Sequence, residues 1–104
     1  MIALGIDLGG TSAKIGLVED GAIVDSVQVP TRADSDYEGI VTDLTEAAKK
    51  LAFHRKVQKV GIGSPGIIDT KTGVVCFSNN IRWSDAPLRD DISKSLGLPA
   101  EIAN

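Results

Sequence analysis

A single cysteine, Cys76, means that the chain can form no internal disulfide and no cluster of thiolate metal ligands. The one histidine, His54, stands beside Arg55 and Lys56 at an expected helix end, where a solvated side chain is the natural reading. Neither residue is assigned a role. No apolar run approaches the roughly 20 residues of a membrane span, and the chain enters an apolar strand at Ile2 without the charged region and cleavage site of a secretory leader, so a cytoplasmic chain is expected. Basic residues are also few. Lys and Arg number 11 against 14 Asp and Glu, giving a formal charge of −3 with no basic stripe to neutralise a phosphodiester backbone, so nucleic acid is not an expected partner. Internal repeats, linkers and low-complexity tracts are missing too. What remains, 42% apolar and 24% charged over 104 residues, is ordinary for one globular domain able to bury about two-thirds of its unfolded surface.

Against that plain background stands Gly5-Ile6-Asp7-Leu8-Gly9-Gly10-Thr11, an apolar strand with one carboxylate that runs into a glycine pair and a hydroxyl. Glycine permits positive φ and close approach of a ligand to backbone, so consecutive amides can converge on an anion, and phosphate is the natural guest. Asp7 would put a carboxylate where Mg²⁺ on nucleotide phosphates needs a ligand, and Lys14 adds a positive charge on the return strand. The same residues also fit an ordinary hairpin turn with a strand-end carboxylate. Ala13–Glu19 reads as a second strand, Asp20-Gly21 as a two-residue turn and Ala22–Val29 as a third strand. Three antiparallel strands are not a Rossmann opening, and no Walker loop occurs.

Residues 30–36, containing Pro30, read as a polar connection, and Ser35 with Glu38 fits a capping box. Ile40, Val41, Leu44, Ala47, Ala48 and Leu51 then recur at helical spacing, with Arg55-Lys56 closing the helix. Val57–Gly63 reads as a fourth, central strand covered on both faces. Its end, Gly61-Ile62-Gly63-Ser64-Pro65-Gly66, matches Gly-x-Gly-x-x-Gly, but Ile67-Ile68-Asp69 runs straight into the turn cluster Thr70–Gly73, which leaves no room for the helix of a dinucleotide site. The segment reads either as a loop offering backbone to a small ligand or as a rigid turn between strands. Gly73–Phe77 can form a short strand, and Ser78–Trp83 reads as a polar loop whose adjacent asparagines suit hydroxyl-rich ligands or plain turns. A second helix is expected from Asp85 through Leu88, Ile92 and Leu96, with Pro87 in its first turn and Gly97 as terminator, then a last strand over Leu98–Ala103.

Taken in order, the Gly5–Thr11 run, Gly61–Asp69 with Thr72-Gly73-Val74-Val75, Asn80-Ile81-Arg82-Trp83, and Leu96-Gly97-Leu98-Pro99 leading to Asn104 resemble the N-terminal lobe of the ROK family of sugar kinases, within the sugar kinase, heat-shock protein 70 and actin superfamily. The resemblance covers nearly the whole chain. It implies an α/β, ribonuclease H-like (actin-like ATPase) lobe: a mixed five-stranded sheet, its first three strands antiparallel, with helices packed on it. It further implies that residues 1–104 are the small lobe of a two-lobe, ATP-dependent hexose kinase, glucokinase before kinases for fructose, N-acetylmannosamine or N-acetylglucosamine, with polyphosphate as the other possible donor. By the same resemblance Gly9, Gly10, Thr11 and Lys14 bind the ATP phosphates, and Asp7 positions Mg²⁺ through water. Ser64, Pro65, Gly66, Asn80 and Asn104 border the sugar. The family's general base is an aspartate following that last asparagine, so no catalytic residue is expected within the chain; the second lobe, the adenosine segment and a structural Zn²⁺ motif are expected beyond it, in a protein that is a homodimer. Two other readings are a sugar-sensing repressor, which would carry a winged helix before the first strand, and an inert lobe that binds sugar or phosphate weakly.

Overall fold

In a computed structural model describing residues 1–32, 35–78, 81 and 83–104, the chain forms β1 (Ile2–Leu8), β2 (Ser12–Glu19), β3 (Ala22–Pro30), α1 (Tyr37–Leu51), β4 (Lys59–Gly63), β5 (Ile67–Asp69), β6 (Val74–Ser78), β7 (Trp83–Ala86), α2 (Leu88–Leu96) and β8 (Ala100–Ala103). The main sheet has the order β3-β2-β1-β4-β8. Its β1–β2 and β2–β3 pairs are antiparallel, while β4 lies parallel to β1 and β8 parallel to β4. This is the expected mixed five-stranded sheet with three antiparallel strands in front. Asp20 and Gly21, with φ of 51° and 84°, make the left-handed two-residue turn that matches the twist of the hairpin.

Period-two alternation builds the core. Leu4, Ile6 and Leu8 on β1, Ala13, Ile15 and Leu17 on β2, and Val60 and Ile62 on β4 share one face and are buried. Ile40, Leu44 and Ala48 of α1 and Leu88 and Ile92 of α2 close over them. Each fully buried Leu or Ile contributes about 1.5–3 kcal/mol. The other face is open at its centre, where a Cβ added at Gly5 or Gly61 would meet nothing within 4 Å, while the Ile23 side chain lies over Gly16. The expectation that β4 is covered on both faces is thereby corrected, since Lys59 and Gly61 alternate outward with buried Val60 and Ile62.

Several boundaries differ from the sequence expectation. Asp36, not Ser35, caps α1, its carboxylate accepting the Gly39 amide at 2.7 Å, and the helix ends at Leu51 rather than at Arg55-Lys56. Strand β4 begins at Lys59, not Val57, and β8 at Ala100, not Leu98. Trp83–Ala86, expected as loop and helix start, is a strand, so α2 begins at Leu88 after Pro87. Gly97, with φ of 68°, ends α2 in the left-handed conformation as expected. Strands β5, β6 and β7 form a separate antiparallel sheet that the sequence did not suggest. Its first turn is held to α2 by the Arg89 guanidinium, which donates to the carbonyls of Thr70, Lys71 and Thr72.

Candidate active site

The two motif segments meet at one end of the main sheet. Register places Asp7 between Lys14 on β2 and Gly63 on β4, and Gly63 in turn beside Ala103 on β8. Cross-strand partners face the same side, so Asp7 and Lys14 both project from the open face at the carboxyl ends of the parallel strands, where open α/β sheets bind ligands. Asp7 is exposed and enters no ion pair among the described residues. Its Oδ1 lies 3.8 Å from where a Cβ of Gly63 would sit, so the carboxylate leans over the end of β4.

The turn after β1 is closed by the Gly9 amide, which donates to the Ser12 carbonyl at 3.0 Å. That bond occupies the donor that Gly9 was expected to offer. A Cβ on Gly9 would stand 2.7 Å from the Ser12 carbonyl oxygen, so the residue's part is to let the chain fold back this tightly. The Gly10 and Thr11 amides, by contrast, have no backbone acceptor among the described residues. Two adjacent unpaired amides with the Lys14 ammonium on the following strand form a donor set for an anion.

Beyond β4, the Ser64 amide donates to the Ala103 carbonyl at 3.0 Å, and its buried hydroxyl donates to the Pro65 carbonyl at 3.2 Å. Ser64 therefore shapes its own loop, with its hydroxyl proton engaged by the Pro65 carbonyl. Gly66 sits at φ of 102°, against the backbone of Phe77 and Ser78. The Asn104 side-chain amide donates to the Gly66 carbonyl, which joins the end of β8 to the loop. Pro65, Gly66 and Asn104 are thus brought together, with the Asn104 Oδ1 left as an acceptor. Asn80 lies outside the described residues. A cavity of about 600 Å³ opens elsewhere, between β3 and α1, floored by Val27, Val29, Ala47 and Leu51, and it contains none of these residues.

Comparison with known proteins identifies the family and the fold. The sequence model of the ROK family matches residues 3–104. The chain belongs to the ROK family. It is 37% identical to the glucokinase of Thermotoga maritima over 103 residues, covering 97% of this chain and 32% of that protein. The crystal structure of a ROK family glucokinase from Streptomyces griseus, in complex with glucose and AMPPNP, superposes with a TM-score of 0.91 at 34% identity, covering all of this chain and 33% of the other. Similarity extends to regulators: the xylose repressor of Caldicellulosiruptor bescii is 31% identical over 107 residues, covering 97% of this chain and 27% of that protein. The chain spans about a third of the length of the ROK proteins it matches. With this fold, the actin-like ATPase lobe expected from the ROK motifs is the one observed.

Two residues that hold the turn after β1 were missed. Gln28 lies opposite Lys14 on β3, and its Nε2 donates to the Ser12 Oγ at 2.9 Å. The Thr31 amide donates to the Thr11 carbonyl at 2.9 Å. The hairpin turn alone would have paired Lys14 with Val27; a bulge after Leu17 advances the register by one and brings Gln28 there instead. No local sequence signal marks that bulge.

Proposed function

We propose that this ROK lobe is the N-terminal part of an ATP- and Mg²⁺-dependent hexose kinase, glucokinase first, which transfers the γ-phosphoryl group to a sugar hydroxyl. One juxtaposition carries the reading. The anion-donor turn after β1 stands at the same end of the sheet as the Pro65-Gly66 loop, one strand over, and Asn104, two strand spacings or about 10 Å over, a span suited to a triphosphate meeting a sugar. In that arrangement the Gly10 and Thr11 amides and the Lys14 ammonium hold phosphate oxygens. Asp7, with no protein partner, fits a water-mediated contact to Mg²⁺, which when bound neutralises charge on the phosphates. Pro65 and Gly66 present backbone to the sugar, and the Asn104 Oδ1 accepts from one of its hydroxyls.

Phosphoryl transfer is mostly positioning and charge stabilisation, yet a positioned base contributes about 10²–10⁴-fold. The base, the adenine pocket and the rest of the sugar site are proposed to lie in a second lobe, in keeping with the chain's third share of its relatives' length. Among the described residues no three or more His, Cys, Asp or Glu side chains gather. No helix among them is long and apolar enough to cross a membrane. Use of ATP makes the cytoplasm the proposed compartment.

The test is ADP release by the whole protein with ATP, Mg²⁺ and a panel of glucose, fructose, N-acetylmannosamine and N-acetylglucosamine. Turnover with the highest kcat/KM on glucose is expected; a folded protein inactive on every sugar refutes the reading. The xylose repressor similarity favours a second reading, a sugar-sensing regulator. Specific DNA binding without sugar phosphorylation would support it.

A further inference from the structure

The anion-donor turn is fastened at two consecutive residues, Thr11 and Ser12, from β3 and the residue that follows it. The Thr31 amide holds the Thr11 carbonyl, and the Gln28 side-chain amide holds the Ser12 hydroxyl oxygen. Ser12 and Lys14 lie two residues apart on β2, so their side chains share the open face with Asp7 and Gln28. A hydroxyl has one proton to give and two lone pairs. With Gln28 Nε2 donating to it, the Ser12 oxygen acts there as acceptor, and its own proton is kept free to point elsewhere. Were Gln28 an acceptor at this position, the proton would turn toward it and be lost to any ligand.

We propose that Gln28 is a positioning residue for the nucleotide phosphates, acting through Ser12: it orients the Ser12 hydroxyl as a further donor beside the Gly10 and Thr11 amides. This rests on the kinase reading above. Gln28 touches no reacting atom; it sets the direction of one donor and steadies the turn that carries the others, which lowers the ordering cost of binding. Both side chains lie at the surface and away from the buried core, so neither is needed for the fold.

The test uses the whole protein with ATP and glucose, comparing Gln28→Ala, Ser12→Ala and the double variant, with Gln28→Glu as the reversed case. Each alanine variant is expected to lower kcat/KM for ATP about three- to tenfold, as for loss of one hydrogen bond, with the sugar KM and the thermal midpoint unmoved. The double variant should be no worse than the more damaged single one, because both substitutions remove the same donor. Gln28→Glu should cost more than Gln28→Ala, since a carboxylate captures the Ser12 proton and repels phosphate. An unchanged kcat/KM for ATP in Gln28→Ala, effects that multiply in the double variant, or an equal rise in both KM values overturns the proposal while leaving the kinase reading in place. A wild-type protein that neither binds ATP nor phosphorylates any sugar overturns both.

Discussion

Replacing Gly66 by alanine puts a methyl group where the fold leaves no space for it. A Cβ there would collide with the Phe77 carbonyl oxygen and stand 2.9 Å from the Ser78 Cβ and 3.1 Å from the Ser78 Cα. These are strand atoms of β6, which is paired on both sides and cannot yield as a flexible side chain would. The residue also has φ of 102°, a region that L side chains avoid at a cost of about 1–3 kcal/mol. Overpacking adds about 1–3 kcal/mol. Together the two give roughly 2–6 kcal/mol against a total stability of about 5–15 kcal/mol for a small domain. Urea unfolding followed by Trp83 fluorescence measures it, with Gly5→Ala as the control, because a Cβ at Gly5 meets nothing within 4 Å. At about 4–8 °C per kcal/mol, the thermal midpoint of Gly66→Ala should fall by at least roughly 8 °C while that of Gly5→Ala barely moves. Equal stability of the two variants would refute the argument.

Two further predictions concern α1. Asp36→Ala should cost about 1 kcal/mol through loss of the cap to the Gly39 amide, and Ser35→Ala should stay within about 0.5 kcal/mol; urea midpoints distinguish the pair, and the reverse order would restore Ser35 as the cap. Tyr37 has its phenol pushed above the ordinary 10.0, first by burial, then by the hydrogen bond it donates to Asp91 at 2.7 Å and by the charges of Asp91 and Asp90. The unfolded chain then releases this proton at lower pH than the folded one. Its contribution to stability is full below about pH 10 and declines as pH rises above it. Tyr37→Phe should flatten that alkaline decline. Tyr37 is the only tyrosine, so phenolate absorbance reports it alone, and ordinary titration near 10 in the folded protein would contradict the burial argument.

The main sheet was legible because Ile2–Leu8, Ala13–Glu19 and Ala22–Val29 are separated by turn residues that permit only tight reversals. Helix α1 was legible from its spacing, but its cap was not. Ser35 and Asp36 are adjacent and chemically equivalent as caps, and only the backbone chooses between them. Strand β7 was hidden because Trp83-Ser84-Asp85-Ala86 has no strand-like apolar alternation and Asp85 sits at φ of 51°; its pairing with β6 makes it a strand. At the end of the sheet, strand register alone makes Asp7 and Lys14 neighbours, and the end of β8 brings Asn104 to the Gly66 carbonyl. The direction of the Ser64 hydroxyl, the use of the Gly9 amide and the arrival of Gln28 depend on hydrogen bonds and on a bulge made by distant chain. Residue order carries no record of those.

Initial rates of ATP-dependent glucose phosphorylation by the whole protein, wild type against Asp7→Asn across a Mg²⁺ series, bear most directly on the phosphate turn and its neighbouring carboxylate. For a group that orients a metal's bound water, a loss of about 10–100-fold is predicted, partly recovered by high Mg²⁺, with thermal stability unchanged. An Asp7→Asn protein as active as wild type at every Mg²⁺ concentration would contradict the account.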